Sequence, residues 1–173
     1  MQLSDVKIIK ASPEDVWAAI LNPEVLKLCV PGCESMTGSV EEGFEATVKQ
    51  KIGPVSATFG GVVKFSDIEP GRAVTLTGEG KGGAAGFAKG GAKVTLAPVE
   101  GGTELSYEVD ASVGGKIAQL GSRLIDGFAK KMADEFFTRF QDALEAPEEG
   151  TEEAAASPDE APKKGWFKRM IAA

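Results

Sequence analysis

The chain has 173 residues, a formal net charge of −7 at pH 7, two cysteines and no histidine. This length allows one domain of ordinary size with short extensions, and an acidic chain is a poor partner for nucleic acid. Two cysteines are too few for a disulfide scaffold, and without histidine a zinc or haem site lacks its usual nitrogen ligand. We therefore expect one ordered domain, without a metal site or nucleic-acid partner, followed by a short extension.

The N-terminal residues predict a strand and then two short helices. Residues 2–9 favour a strand and lack the cationic start and apolar stretch of a signal peptide. Residues 12–15, Ser-Pro-Glu-Asp, form the pattern of a capped helix start. The Asn-Pro pair at 22–23 interrupts this helix, and a second helix is expected over residues 24–28. Residues 30–33, Val-Pro-Gly-Cys, then turn the chain into a sheet.

The two cysteines flank this turn. We interpret Cys29 and Cys33 as small apolar residues, the commonest role of free cysteine. A redox-active thiol pair around Pro31-Gly32 is the alternative.

The rest of the chain changes its hydrophobic period once. From residue 33 to 113, short alternating segments separated by Gly and Pro are typical of antiparallel strands. After Gly114-Gly115 the period becomes 3.6 and holds to about Leu144, which predicts a helix of about 30 residues. The expected fold is α+β, of the helix-grip type: a curved antiparallel sheet of about seven strands wraps around a long C-terminal helix, with two short helices after the first strand.

The inward strand positions are unusually small: Ala46, Ala57, Gly61, Gly78, Ala88, Gly90, Ala92 and Ala111. Small residues facing a helix leave volume between the two layers, so we expect an apolar cavity. We place it at the end of the helix where Leu120, Gly121 and Leu124 lie, and a tryptophan at Leu120 or Leu124 is then expected to block ligand uptake. The alternative is that the glycines mark bulges that curve the sheet, and both can hold.

Nothing expected in this interior can carry acid–base or nucleophilic chemistry, so we predict a binding site for an apolar ligand and no enzyme activity. Tyr107 can donate a hydrogen bond to a carbonyl or quinone oxygen, or it is ordinary packing. The predicted ligand-binding residues are Leu28, Val30, Phe59, Val63, Leu76, Phe87, Val94, Tyr107, Leu120, Leu124 and Phe128.

Residues 78–83 match the spacing G-x-G-x-x-G. A dinucleotide fingerprint joins a parallel strand to a helix, whereas these residues lie between predicted antiparallel strands. We interpret residues 80–91 instead as a flexible hairpin tip that acts as a lid over the cavity.

The C-terminal end divides into an acidic and a basic segment. Residues 146–162 carry six acids and no base, and residues 163–173 carry four bases and no acid. As a helix, the last residues place their apolar side chains on one arc, too short to span a bilayer but suited to lie on it. We predict domains at 1–145, an acidic disordered linker at 146–162 and a membrane-binding tail at 163–173. The membrane-binding residues are Lys163, Lys164, Trp166, Phe167, Lys168, Arg169, Met170 and Ile171. The alternatives are a solubilising tail, or docking of Trp166 on a partner protein.

Three motifs carry a family resemblance: Val30-Pro31-Gly32-Cys33-Glu34, Lys51-Ile52-Gly53-Pro54-Val55, and residues 113–125 with Phe136-Phe137 after them. Together they resemble the CoxG family of carbon monoxide dehydrogenase proteins, within the START/Bet v1-like (SRPBCC) superfamily. The resemblance implies a non-catalytic accessory protein of a molybdenum hydroxylase such as aerobic carbon monoxide dehydrogenase. It also implies recruitment of that enzyme to the cytoplasmic membrane and handling of its quinone electron acceptor.

We therefore expect a monomer, peripheral at the inner face of the cytoplasmic membrane, that binds menaquinone or ubiquinone as a ligand and has no covalent cofactor. A purely structural adaptor, which predicts an empty interior, is the first rival. An enzyme of the polyketide-cyclase type, which shares this fold, is the second.

Overall fold

A computed structural model describes residues 1–145, so the predicted linker and tail lie outside the described residues. The elements, in chain order, are β1 (Gln2–Ile9), α1 (Pro13–Ile20), α2 (Pro23–Cys29), β2 (Cys33–Ser39), β3 (Gly43–Ile52), β4 (Val55–Glu69), β5 (Ala73–Lys81), β6 (Phe87–Val99), β7 (Gly102–Gly114) and α3 (Ser122–Leu144). No helix among these residues is long and apolar enough to cross a membrane.

The strands form one antiparallel sheet in the order β1-β7-β6-β5-β4-β3-β2. Strands β2 to β7 follow one another as a meander, because each consecutive pair is joined by a short turn. β1 returns to pair with β7, with Gln2 opposite Asp110 and Ile9 opposite Thr103. With the helices on one face of this sheet, the predicted α+β helix-grip fold is confirmed.

Both short helices begin as their sequences predict. The Ser12 side chain accepts a hydrogen bond from the Asp15 amide at 3.2 Å, and Pro13 occupies the first turn of α1. The Asn22 side chain accepts from the Glu24 amide at 2.9 Å, which makes Asn22 the cap of α2. The Asn-Pro pair therefore ends one helix and starts the next, because proline lacks the amide hydrogen that only a first-turn position can spare.

The long helix is shorter than its sequence predicts. Periodicity indicates about 30 residues from Gly115 onwards, but residues Gly115–Leu120 form a 3₁₀ helix and α3 has 23 residues. The break is at Gly121, whose φ of 92° belongs to a backbone region that suits glycine and cannot continue a helix. The apolar spacing runs through the break, so periodicity alone does not reveal it.

The predicted lid over residues 80–91 is also corrected. β5 and β6 pair as far as Lys81 and Phe87, and only residues 82–86 form the turn. Ala85 in that turn is buried against Ile52 and Ile117. Strand pairing and burial therefore anchor this hairpin tip, so the structure gives no lid there.

Two apolar clusters close the two ends of the space between sheet and helices. The larger one packs the last turns of α3 against α1, α2 and the sheet, with Phe140 and Leu144 fully buried. At its rim the buried Thr103 hydroxyl donates to the Ala11 carbonyl at 2.7 Å, which ties β7 to the loop before α1. The smaller cluster joins Ile52, Ala85 and Ile117 at the opposite end. The middle of the space is left for the site.

Candidate functional site

An apolar cavity of about 300 Å³ lies between the two clusters, and we call it the main cavity. Its roof is the second half of α3, its side is formed by α1, α2 and the residues that follow α2, and its floor is the sheet. The lining residues are Leu3, Ile20, Leu26, Val30, Pro31, Leu76, Ala92, Val94, Leu105, Tyr107, Val109, Met132, Ala133, Phe136, Phe137 and Phe140. Among these described residues, only the Tyr107 side chain carries a hydroxyl or charged group, so the cavity suits hydrocarbon.

The main cavity continues along the sheet as an open groove of about 330 Å³, which we call the sheet groove. The two spaces share Leu76, Ala92 and Val109. Beyond these residues, small side chains such as Gly78, Ala88 and Ala111 line the groove. The predicted link between small inward residues and unfilled volume therefore holds, and the combined shape is long and narrow.

The inward glycines have two different roles. A Cβ atom on Gly90 would lie 2.4 Å from the Asp110 carbonyl oxygen, so that glycine allows two strands to approach closely. A Cβ atom on Gly78 would meet nothing closer than 3.6 Å. Gly78 therefore leaves open volume where a larger side chain would fit. Both alternatives considered for the inward glycines apply, each to a different residue.

The structure brings together only part of the predicted ligand-binding set. Val30, Leu76, Val94 and Tyr107 line the main cavity, and Val63 lines the sheet groove. Phe59, Leu120 and Phe128 pack on the smaller cluster. Leu28 and Phe87 are 44% and 39% exposed and line neither space. Phe87 alternates with the inward Ala88 and so lies on the outer face of the sheet.

The cavity is not at the end of the helix where the sequence analysis places it. Leu120, Leu124 and Phe128 line a separate surface groove of about 540 Å³ with Gly53, Arg123, Gly127 and Lys131, which we call the end groove. A tryptophan at Leu120 or Leu124 would therefore fill the end groove and leave the main cavity open. The physical reason is the break at Gly121, which shortens α3, so that its second half covers the cavity.

Sequence reasoning missed the residues that the helices contribute to the cavity. Met132, Phe136 and Phe140 share the apolar stripe of α3, and that periodicity was the available signal. Leu26 and Pro31 carry no such signal, because the sequence does not reveal how α2 packs across the long helix. The contribution of Leu3 follows from the return of β1 beside β7, which is a long-range pairing.

Tyr107 lies where the apolar lining meets a group of charges. Its ring stacks on Phe137, with centroids 5.0 Å apart and planes at 14°. Burial raises the pKa of the phenol, and the carboxylates of Asp5 and Asp134 raise it further. Lys7 lies between those two carboxylates, 3.3 Å from Asp5 and 3.8 Å from Asp134. The hydroxyl therefore keeps its proton at neutral pH and can donate a hydrogen bond to a ligand oxygen.

The cysteines have none of the properties of a reactive pair. Both are free, and burial raises the pKa of Cys29 to about 12. Burial also raises the pKa of Cys33, which is half-buried. Reactive cysteines have lowered pKa values, since the thiolate is the nucleophile. These environments favour the interpretation as small apolar residues over a redox-active pair.

The raised pKa of Cys29 predicts both its reactivity and a pH dependence. At pH 8, iodoacetamide should modify Cys33 slowly and leave Cys29 untouched in the folded protein, as peptide mass spectrometry would show. Because burial favours the neutral thiol, its contribution to stability is complete below the unfolded pKa of about 8.5 and is lost as pH rises towards 12. A Cys29→Ala variant should lose less stability than the parent across that range. Rapid modification of Cys29 at pH 8 would contradict the prediction.

Among residues 1–145, no group of three or more metal-ligating side chains comes together. The site is thus a long apolar space with one phenol at its edge. Comparisons with known proteins agree with this architecture. The family model for the CoxG component of carbon monoxide dehydrogenase matches residues 7–145. A search of curated proteins found no match.

Solved structures share the fold over most of the chain. A conserved protein from Geobacillus kaustophilus is 29% identical, with a TM-score of 0.77, and the match covers 83% of this chain and 95% of that one. A START superfamily protein from Mycobacterium smegmatis is 14% identical, with a TM-score of 0.62 and coverages of 83% and 96%. A protein from Chromobacterium violaceum is 18% identical, with a TM-score of 0.62 and coverages of 84% and 97%.

Proposed function

The chain belongs to the CoxG family of carbon monoxide dehydrogenase proteins, and on that basis we propose that it is an accessory protein of a molybdenum hydroxylase of the aerobic carbon monoxide dehydrogenase type. In this role it holds an apolar ligand, a respiratory quinone such as menaquinone, and recruits the enzyme to the cytoplasmic membrane. The carbon monoxide dehydrogenase part of the proposal rests on the family, and the ligand part rests on the site.

The observation that carries the ligand proposal is the shape and chemistry of the interior. The main cavity of about 300 Å³ is apolar apart from the Tyr107 hydroxyl at its edge, and it opens into a sheet groove of about 330 Å³. These volumes fall in the range of small-molecule sites, which is about 300–1,000 Å³. A long apolar chain suits the connected spaces, and the Tyr107 hydroxyl suits an oxygen on one end of that chain. An isoprenoid quinone has both features.

Several observations support a carrier over a catalyst. Within residues 1–145, Tyr107 is the only titratable group that lines the main cavity, and its raised pKa makes it a poor general base at neutral pH. The raised pKa values of Cys29 and Cys33 disfavour the thiolate that a nucleophile would need. We therefore propose that the protein binds and transfers its ligand without changing it.

The C-terminal sequence supports the membrane part of the proposal. Residues 163–173 combine four bases with Trp166, Phe167, Met170 and Ile171, a composition suited to an anionic bilayer surface. Near such a surface each Lys or Arg contributes about 1 kcal/mol, which favours reversible attachment. Residues 146–162 then act as a spacer between this tail and the domain.

The decisive experiment is mass spectrometry of organic extracts from the full-length protein, purified without detergent beside a variant that ends at Ala146. We expect an apolar ligand near one equivalent in the full-length protein and much less in the truncated one, because the tail would bring the domain to the lipid in which the ligand dissolves. The truncated protein should regain the ligand from detergent-solubilised quinone, which separates lost access from lost folding.

A different result would change the assignment. If neither protein carries an apolar ligand and neither takes up added quinone, the carrier proposal is wrong. The chain would then be a structural adaptor that holds the enzyme at the membrane. Equal ligand in both proteins would keep the carrier and remove the loading role of the tail.

A further inference from the structure

The charges of the domain are separated between its two ends. The end formed by the β3–β4 turn, the β5–β6 turn, the 3₁₀ helix and the first half of α3 is here called the basic end. Its segments are residues 49–55, 79–89 and 115–131, which contain eight bases and two acids. A domain with a net negative charge therefore presents one cationic end.

The opposite end is acidic. It holds the loop before α1, the β2–β3, β4–β5 and β6–β7 turns and the last turns of α3. Its segments are residues 10–15, 39–45, 67–73, 97–104 and 139–145, which contain eleven acids and three bases. Such an asymmetric charge distribution orients a molecule near a charged surface, with the basic end towards negative charge.

The basic end also carries an exposed apolar groove, the end groove defined above. Leu120, Leu124 and Phe128 form its apolar part, and Arg123 and Lys131 flank it. Leu124 is 40% exposed, and its tip rests against Gly53 in the β3–β4 turn. Exposed hydrocarbon surrounded by cations fits the interfacial region of an anionic bilayer, where the hydrocarbon reaches the acyl boundary and the cations reach the phosphates.

The cations at this end are largely free to bind phosphate. Within residues 1–145, Arg123 and Lys116 form no ion pair, and Lys131 only reaches Glu135 at 4.0 Å. All three cationic residues are exposed. Because surface pairs of this kind contribute little, binding of a headgroup would cost them almost nothing in lost partners.

We propose that the basic end of the domain is a second membrane-contact site, which docks directly on an anionic phospholipid bilayer through the end groove. The proposal goes beyond attachment by the tail, and it rests on the proposed location at a membrane. In this orientation the sheet groove, whose lining includes Gly80 and Ala88 near the basic end, lies towards the lipid. The acidic end points away from the bilayer, where it is available to a protein partner.

The length of the chain after α3 is compatible with both contacts at once. α3 has 23 residues and so spans about 34 Å from the basic end to the acidic end. Residues 146–162 follow it, and 17 residues reach at most about 60 Å when extended. The tail can therefore return to the same bilayer on which the basic end docks.

The test uses full-length protein with a fluorescent label that responds to an apolar environment. Gly127 lines the end groove, and a Cβ atom there meets nothing within 4 Å, so Gly127→Cys accepts a label without a clash. Glu100→Cys places the same label at the acidic end. Both carry Cys33→Ser to remove the accessible thiol, whereas buried Cys29 stays unreactive. Vesicles contain equal phosphatidylglycerol and phosphatidylcholine, or phosphatidylcholine alone, and co-sedimentation is measured in parallel.

We expect the label at Gly127→Cys to become brighter and blue-shifted with anionic vesicles only, and the label at Glu100→Cys to stay unchanged. Arg123→Glu with Lys131→Glu should abolish the shift while the protein still sediments through its tail. Lys10→Glu with Lys27→Glu changes the net charge equally and should keep the shift. Sedimentation without any shift at Gly127→Cys would overturn this proposal and leave the tail's role intact. A blue shift before vesicles are added would also overturn it, because another part of the chain would then cover the groove.

Discussion

Replacing Gly78 with leucine should empty the protein of its apolar ligand without unfolding it. Gly78 lies on the inner face of β5 and lines the sheet groove, where a Cβ atom has ordinary contact distances of 3.6 Å or more. The added side chain would therefore occupy ligand volume instead of forcing the strands apart. We expect at least a tenfold loss of bound ligand, which corresponds to about 1.4 kcal/mol of binding free energy. Mass spectrometry of detergent-free extracts measures it directly.

Gly60→Leu is the matched control. Gly60 lies on neighbouring β4 but faces outwards, and a Cβ atom there meets nothing within 4 Å. The same substitution thus adds the same hydrocarbon and the same strand propensity outside the cavity. We expect Gly60→Leu to keep its ligand. Equal ligand in the two variants would mean that the sheet groove is not part of the binding site.

Replacing Phe140 with alanine should cause the largest loss of stability. Phe140 is fully buried and joins the last turns of α3 to β7, α1 and α2 in the larger cluster. Its ring stacks on Phe136 at 5.5 Å, so its loss also loosens the roof of the main cavity. Buried Phe→Ala substitutions cost about 3–5 kcal/mol. For a domain of this size that corresponds to a fall of roughly 10 °C in the melting temperature.

Phe87→Ala makes the same chemical change on the outer face of the sheet. Phe87 is 39% exposed and covers Gly114 on the neighbouring strand, so its removal leaves no enclosed cavity. Urea denaturation should show a loss well under half of that for Phe140→Ala. Similar losses for both variants would mean that the larger cluster does not dominate the stability of the domain.

The order of the elements could be predicted because each depends on neighbours in sequence. Ser12 and Asn22 cap the helices that follow them, and alternation across residues 43–114 predicts strands whose inward positions the sheet preserves. The small inward residues likewise predict unfilled volume. The site was harder to predict, since Leu28 and Phe87 are apolar but lie at the surface. An apolar residue near a turn does not reveal which side of the sheet it will face.

Local sequence is sufficient to predict the helix-grip fold, the apolar character of the interior and the charge contrast in residues 146–173. These properties follow from composition, period and capping, which act over a few residues. The position of the cavity, in contrast, depends on tertiary contacts. The positive φ of Gly121 shortens α3, and the pairing of β1 with β7 and the packing of α2 bring Leu3 and Leu26 beside Phe136. These contacts join residues far apart in the chain, and their geometry is settled by packing the whole core at once.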